Sequence, residues 1–160
     1  MTIKVGQPLP NVTFMQMGEA GPQPVSSADA FKGKRTALFA VPGAYTPTCS
    51  AQHVPSYKEN EAALRAKGID CIACTSVNDV FVMDAWAKQQ GVDSSMDFLA
   101  DGNGEFAKAI GLELDGSGFG LGQRSQRYAM IINDGVVEQL FVEGPGEFKV
   151  SAAEHLLENL

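Results

Sequence analysis

Arg35-Thr-Ala-Leu-Phe-Ala-Val41 is an apolar run that stops at Pro42-Gly43. Such a run is typical of a buried strand that ends in a turn. A helix is predicted directly afterwards, from Pro47 to Lys67, with Gly68 as its C-terminal cap. This strand–turn–helix unit places the turn at the carboxyl end of a sheet, which is the edge where α/β proteins usually expose their functional sites.

The same alternation continues along the chain and predicts an α/β fold. The further predicted elements are strands over 69–77, 96–100, 127–132 and 136–142, and helices over 79–90, 105–110 and from a capping box at Ser151-Ala-Ala-Glu154 to Leu157. Asn133-Asp134-Gly135 predicts a hairpin between the last two strands, and the glycine-rich stretch 111–122 predicts a loop. Strands that alternate with helices, followed by a hairpin and a helix, predict a mixed central sheet flanked by helices.

Composition excludes several classes of protein. The chain has 160 residues, enough for one domain over 1–160, and its 12 basic and 19 acidic side chains give a net charge of −7. This acidic balance argues against binding to nucleic acid or to anionic membranes. Three cysteines, an odd number, indicate thiol chemistry in a reducing compartment instead of a disulfide framework. With no signal-peptide pattern and no run of about 18 apolar residues, a cytoplasmic location is expected.

Cys49 lies close to the predicted helix start. Thr46 is placed as the N-cap and Pro47 as the first helical residue, so that the Thr46 hydroxyl is expected to bond the Cys49 backbone N–H. The positive field of a helix start favours thiolate over thiol. Because the neighbouring side chains are polar as well, a nucleophilic and accessible sulfur is predicted. The alternative, a small buried hydrophobic cysteine, stays open on these features alone.

A family resemblance adds to this interpretation. Pro42-x-x-x-Thr46-x-x-Cys49 matches the active-site signature of peroxiredoxins, and the whole stretch 41–50 resembles the type II, or five-type, subfamily. Later segments that resemble the same subfamily, in the same order, are 74–79 with 81–86, 98–102 and 127–130. The resemblance covers roughly Val5 to Val142. It implies a thioredoxin-like fold and a thiol-dependent peroxidase that reduces hydrogen peroxide and alkyl hydroperoxides without metal or organic cofactor.

The resemblance also implies roles for particular residues. Cys49 would be the peroxidatic cysteine, whose thiolate attacks a peroxide oxygen and becomes a sulfenic acid. Thr46 would bond the peroxide, Pro42 would shield the sulfur, and Arg127 would stabilise the thiolate and the charge that develops on the breaking bond. Arg124 competes with Arg127, but the resemblance falls on the arginine that directly precedes Tyr-Ala-Met. An exposed surface position is expected for Arg124.

His53 and Pro55 are further features of the predicted helix. His53 follows Cys49 by four residues and therefore lies on the same helix face. It is an auxiliary candidate that orients the pocket or passes a proton, and a purely structural packing role is the alternative. Pro55 is expected to kink the helix.

Cys71 and Cys74 have the CxxC spacing of redox and zinc sites. Inside a strand, residues three apart face opposite sides, so a shared metal or a mutual disulfide is geometrically poor, and no metal site is predicted. Cys71 is expected in the core. The resemblance makes Cys74 a candidate resolving cysteine, because type II members from plants and bacteria have a second cysteine at the matching position. Alternatively, Cys74 stays buried while an external thiol reduces Cys49.

The resemblance implies glutathione with a separate glutaredoxin as the reductant, with thioredoxin as the second candidate. It also implies a homodimer built around the active-site loops. A function of another class stays open, namely a non-catalytic thiol redox sensor that uses Cys49 as a switch.

Overall fold

The structure is a computed structural model that describes residues 1–92 and 94–160. Its strands are β1 Thr13–Gly18, β2 Gly21–Ser26, β3 Arg35–Ala40, β4 Cys71–Ser76, β5 Asp97–Ala100, β6 Glu113–Asp115, β7 Gln123–Ser125, β8 Tyr128–Asn133 and β9 Val136–Val142. Its α-helices are α1 Ser27–Phe31, α2 Val54–Glu59, α3 Glu61–Ala66, α4 Val80–Gln89, α5 Glu105–Ala109 and α6 Ala153–Glu158. A π-helix, Cys49–His53, directly precedes α2, and a 3₁₀ turn covers Ser117–Phe119.

One large mixed sheet organises these elements, in the strand order β2-β1-β5-β4-β3-β8-β9. The strands β3, β4 and β5 run parallel to one another, whereas β8 is antiparallel to both β3 and β9. The mixed central sheet that the sequence predicts is therefore confirmed. Because β3 and β4 are parallel, the turn after Ala40 and the loop after Ser76 meet at the same edge of the sheet.

Helices cover both faces of the sheet. Along β3, Ala37 and Phe39 point into a core that they share with Cys49, whereas Leu38 and Ala40 point into a second core on the opposite face. Residues of α2, α3, α4 and α6 fill the first core, and residues of α1 and α5 help to fill the second. The strand that leads to the predicted site is thus buried on both sides.

The helix predicted over 47–67 is divided into shorter pieces. In the π-helix, the backbone N–H of Val54 bonds the carbonyl of Cys49, five residues earlier, whereas an α-helix uses the carbonyl four residues earlier. Pro55 accounts for this wide turn, because its ring lacks an N–H and clashes with the carbonyl four residues earlier. The expected kink at Pro55 is therefore a π-turn that contains Cys49. A second break occurs at Asn60, where the backbone leaves helical geometry between α2 and α3.

Two helix ends show where local patterns succeed and fail. Asp79 caps α4, the helix predicted over 79–90, since its side chain accepts the backbone N–H of Val82 at 2.9 Å. The predicted capping box at Ser151 is wrong, because Ala152 occupies the N-cap position and Ser151 is buried one residue earlier. The Ser151 hydroxyl instead donates to Glu143 Oε2 at 2.6 Å. A buried partner just after the end of β9 therefore overrides the local cap.

The glycine-rich stretch 111–122 is more ordered than the predicted loop. It contains β6 and the 3₁₀ turn, and β6 pairs with β7 in a separate two-stranded sheet. In the described part of the chain, none of the helices has the length and apolar character needed to cross a membrane.

Candidate active site

Cys49 Sγ has two hydrogen-bond donors within reach. The Thr46 hydroxyl lies 2.8 Å from the sulfur, and Arg127 Nη2 lies 3.0 Å from it. Cys49 itself is 0% exposed, so the prediction of an accessible sulfur is wrong for this conformation. The burial arises because the π-turn points the side chain into the core of the sheet.

Thr46 does not cap the helix in the expected way. Its hydroxyl lies 2.7 Å from the carbonyl oxygen of Gly43 as well as 2.8 Å from the sulfur, and it has one hydrogen to share between these two acceptors. The carbonyl of Thr46, not its side chain, receives the first helical bond, from the backbone N–H of Ser50 at 3.0 Å. The hydroxyl therefore faces the sulfur and is able to switch acceptor.

Arg127 reaches the sulfur from the end of a neighbouring strand. It immediately precedes β8, whose Tyr128 pairs with Ala40 at the end of β3, so its side chain emerges beside the turn after β3. The guanidinium spans two partners, with Nη2 on the sulfur and Nη1 2.8 Å from His53 Nδ1. An arginine only donates hydrogen bonds, so His53 Nδ1 must be the acceptor and His53 must be neutral.

A cavity of about 380 Å³ opens beside this group. Pro42, Thr48 and Arg127 line this cavity, together with Leu114, Gln126 and the segment 143–147. The four residues that the resemblance assigned to catalysis, Pro42, Thr46, Cys49 and Arg127, therefore lie around the sulfur and the cavity next to it. The cavity is wide enough for a molecule larger than hydrogen peroxide.

The chain matches the Redoxin family over residues 4–157. It is 49% identical over 165 residues to the chloroplastic peroxiredoxin-2E of Arabidopsis thaliana, with 99% of this chain and 70% of that protein covered. It is 44% identical to peroxiredoxin-2B of the same plant, with 99% and 98% covered. This chain belongs to the peroxiredoxin family. A solved structure of reduced Prx3 in complex with H₂O₂ from Vibrio vulnificus matches with a TM-score of 0.95 and 51% identity, over 99% of each chain.

As a peroxiredoxin, the protein is a thiol-dependent peroxidase with a thioredoxin-like fold, as the resemblance implied. In the described residues, no three histidine, cysteine or acidic side chains lie close enough together to hold a metal ion.

His53 in this peroxiredoxin is held in one protonation state. With Nδ1 accepting from Arg127, the proton sits on Nε2 and is donated to the carbonyl of Ser151 at 3.1 Å. Burial, and then the positive charge of Arg127, lower the pKa of His53 well below its ordinary value of 6.5. His53 thus orients Arg127 as a neutral hydrogen-bond acceptor.

Ser151 accepts a hydrogen bond from His53, and Glu143 in turn binds Ser151. Neither residue was a candidate from the sequence. Glu143 Oε2 accepts from the backbone N–H and the hydroxyl of Ser151, at 2.8 and 2.6 Å. Burial acts to raise the pKa of Glu143, but the hydrogen bonds from Ser151 outweigh it and keep that pKa below its ordinary value. No local signal identified this pair, because the segment around Ser151 resembles a helix cap.

Cys74 lies in the same core as Cys49, and Cys71 does not. Cys74 is completely buried on the central strand β4, where burial and then the proximity of Cys49 raise the pKa of its thiol well above the ordinary value. The Cys71 thiol donates to Asp97 Oδ2 at 3.2 Å, and burial followed by Asp97 raises its pKa to about 12. Since all three cysteines are free, the structure corresponds to the reduced protein.

Arg124 differs from the exposed residue that was expected. Its side chain is half-buried and donates to two backbone carbonyls, those of Leu121 at 2.9 Å and Val77 at 3.2 Å. The prediction of a surface arginine is therefore wrong, although the choice of Arg127 as the arginine that contacts the sulfur agrees with the structure.

The state of His53 predicts a pH dependence of stability. His53 stays neutral in the folded protein below pH 6.5, whereas a histidine in the unfolded chain binds a proton there. The unfolded state then holds the extra proton, so stability falls as the pH is lowered from about 6.5 toward 5, by at most about 1.4 kcal/mol per pH unit from this residue. The His53→Gln variant should lack this contribution. Urea unfolding at several pH values measures it, and equal slopes for wild type and variant would contradict it.

Proposed function

We propose that this peroxiredoxin reduces hydrogen peroxide and small alkyl hydroperoxides at Cys49, and that glutathione with a glutaredoxin, or else thioredoxin, restores the thiol. The observation that carries the proposal is the position of Cys49 Sγ between the Thr46 hydroxyl and Arg127 Nη2, at 2.8 and 3.0 Å. Two donors on one buried sulfur stabilise negative charge there. A buried structural cysteine would have no need of either.

The chemical step follows from this geometry. The thiolate of Cys49 attacks one peroxide oxygen in line with the O–O bond, an S–O bond forms, and the O–O bond breaks. The leaving oxygen takes a proton and departs as water or an alcohol. Sulfur is thereby oxidised by two electrons to the sulfenic acid, and the peroxide is reduced by two.

Thr46 and Arg127 each have a defined part in that step. The Thr46 hydroxyl lies within bonding distance of two acceptors, so it can turn to donate to a peroxide oxygen that arrives beside the sulfur. Arg127 is held by His53 and donates to the sulfur and to the charge that develops on the breaking bond. Pro42 lines the wall of the cavity and shields the sulfur from water on that side.

The cavity supports alkyl hydroperoxides as substrates beside hydrogen peroxide. Its volume of about 380 Å³ exceeds what hydrogen peroxide needs, and Pro42, Leu114 and Pro145 contribute apolar surface to it. A small alkyl group is accommodated there while the peroxide oxygens face Thr46 and Arg127.

Cysteine substitutions test the proposed activity. Cys49→Ser should abolish peroxide consumption, because a serine hydroxyl is not ionised at neutral pH. Cys71→Ser should leave the rate nearly unchanged, because Cys71 lies outside the core that contains Cys49 and bonds Asp97. Consumption of peroxide in the presence of dithiothreitol measures both. Retained turnover in Cys49→Ser would refute the assignment, and one stoichiometric oxidation of wild type without turnover would favour the redox sensor.

We propose that an external thiol, and not Cys74, reduces the sulfenic acid. The strand β4 is paired with β3 on one side and with β5 on the other, so Cys74 is held in place. Burial raises the pKa of its thiol, which keeps it protonated and poorly nucleophilic. An external thiol forms a mixed disulfide at Cys49 with loss of water, and a second thiol then releases the reduced enzyme.

Thiol mapping tests this route. After one equivalent of peroxide in the presence of glutathione, mass spectrometry should find a glutathione adduct on Cys49 in wild type and equally in Cys74→Ser. A Cys49–Cys74 disulfide in wild type would show instead that Cys74 resolves the intermediate. Replacement of glutathione by thioredoxin, with turnover measured for each, ranks the two reductants.

We also propose a homodimer formed through the loops around the active site. Tyr45, Phe81 and Phe119 are 48%, 64% and 88% exposed, an unusual exposure for large apolar side chains. They belong to three segments that touch one another, because Ala44 N–H donates to Asn78 Oδ1 and Arg124 bonds the carbonyls of Val77 and Leu121. A second copy of the chain would cover this apolar surface.

Sedimentation tests the dimer. Phe119→Ser should weaken self-association by about ten-fold or more, since an aromatic side chain buried at an interface contributes that much. Val5→Ser is the matched control, because Val5 is 60% exposed and lies in a segment outside these loops. A wild-type protein that sediments as a monomer at micromolar concentration would refute the proposal, as would equal effects of the two substitutions.

A further inference from the structure

Arg124 fastens two loops at the edge of the sheet where the active site lies. It lies on β7, and its Nε and Nη1 atoms donate to carbonyls of different segments, Leu121 at 2.9 Å and Val77 at 3.2 Å. Val77 directly follows β4, whose end is adjacent to the end of β3. Arg124 thus lies beside the turn that leads from β3 to Cys49, without a place in the peroxide chemistry described above.

The guanidinium of Arg124 also packs against that turn at Gly43. A Cβ atom at Gly43 would lie 3.2 Å from Thr46 Cγ2 and 3.4 Å from Arg124 Nη1, so the side of Gly43 that carries no side chain faces both of these residues. The carbonyl of Gly43 is one of the two acceptors of the Thr46 hydroxyl, and Cys49 Sγ is the other. A continuous series of contacts therefore connects Arg124 to the sulfur through Gly43 and Thr46.

The turn needs external support because its backbone is strained. Tyr45 has a φ of 66°, in the left-handed region that a bulky side chain seldom adopts. Such a conformation persists only where the surroundings hold it. Asn78 Oδ1 holds one point of the turn by accepting from Ala44 N–H at 3.0 Å, and Arg124 holds another by packing against Gly43.

We propose that Arg124 is a positioning residue, which keeps the turn 43–46 in place so that the Thr46 hydroxyl is aimed at the sulfur and at the incoming peroxide. A guanidinium suits this role because its donors point in several directions from one rigid plane. A lysine would reach one carbonyl and would lack the flat surface that packs against Gly43. The proposal rests on the proposed role of Thr46 in binding the peroxide.

Two rates measured on Arg124→Gln test the proposal. Oxidation of Cys49 by hydrogen peroxide uses the proposed bond from the Thr46 hydroxyl to the peroxide, whereas alkylation by iodoacetamide needs only the thiolate, which Arg127 still stabilises in this variant. Oxidation should fall about ten-fold or more, because small misplacements of a positioning group are costly, while alkylation should stay within about two-fold. Stopped-flow fluorescence of Trp86, the only tryptophan in the chain, follows the first rate. The variant is compared with wild type in the same oligomeric state.

Arg65→Gln is the matched control. Arg65 also donates to two backbone carbonyls, those of Asp70 at 2.8 Å and Ser95 at 2.9 Å. It lies on α3, however, and this helix contributes no residue to the site. Both rates of this variant should stay within about two-fold of wild type. If it loses oxidation as selectively as Arg124→Gln, the effect is not specific to the turn 43–46 and the proposal is overturned.

The remaining outcomes are equally decisive. Unchanged oxidation in Arg124→Gln overturns the proposal, and so does an equal fall of both rates, which would place the effect on the thiolate or on the whole fold. If Arg124→Gln does not fold, Arg124→Lys is measured in its place, because a lysine keeps the positive charge but reaches one carbonyl and lacks the flat surface that packs against Gly43. A selective loss of oxidation in Arg124→Lys supports the proposal, and no loss overturns it. Wild-type protein that fails to consume peroxide would refute the proposed function instead.

Discussion

The contact between Arg127 Nη2 and Cys49 Sγ, at 3.0 Å, is the interaction on which the rest of the site depends. A negative sulfur in a completely buried position requires a fixed positive partner, because charge without compensation is costly in a low-dielectric interior. Arg127 is fixed in turn by His53, which must stay neutral to accept its hydrogen bond, and His53 is fixed by the carbonyl of Ser151. Glu143 completes the series by accepting from the backbone and the hydroxyl of Ser151.

The sheet topology makes this contact possible. Cys49 and Arg127 are separated by 78 residues, and they meet because β8 lies antiparallel beside β3 and begins where β3 ends. The parallel neighbour β4 brings Val77 and Asn78 to the same edge, where they support the turn before Cys49. The residues that contact the sulfur, Thr46 and Arg127, and those that support the turn therefore lie beyond the ends of three adjacent central strands.

Particular residues show how far local patterns extend. The strand over 35–41 and the hairpin after β8 depend on short-range chemistry, and the structure agrees with both. The single helix over 47–67, for which only a kink at Pro55 was expected, is wrong, and so are the Ser151 cap and the surface position of Arg124. The ring of Pro55 divides the helix, the carboxylate of Glu143 binds Ser151, and the carbonyls of Val77 and Leu121 bind Arg124. A regular helix pattern takes none of these constraints into account.

The sequence by itself determined the order of strands and helices from β3 onward, apart from the β6–β7 pair, and predicted Cys49 as the nucleophile. Through family resemblance it also assigned Pro42, Thr46 and Arg127 to the site. Those features depend on side-chain type and on spacings of a few residues. Only the tertiary structure decided that Cys49 is buried, that it shares a core with Cys74 and not with Cys71, and that Glu143 and Ser151 support His53. The physical reason is that a buried polar group takes whichever partner the packing brings within hydrogen-bond distance. His53 and Ser151 meet across 98 residues, a separation over which local spacing has no influence.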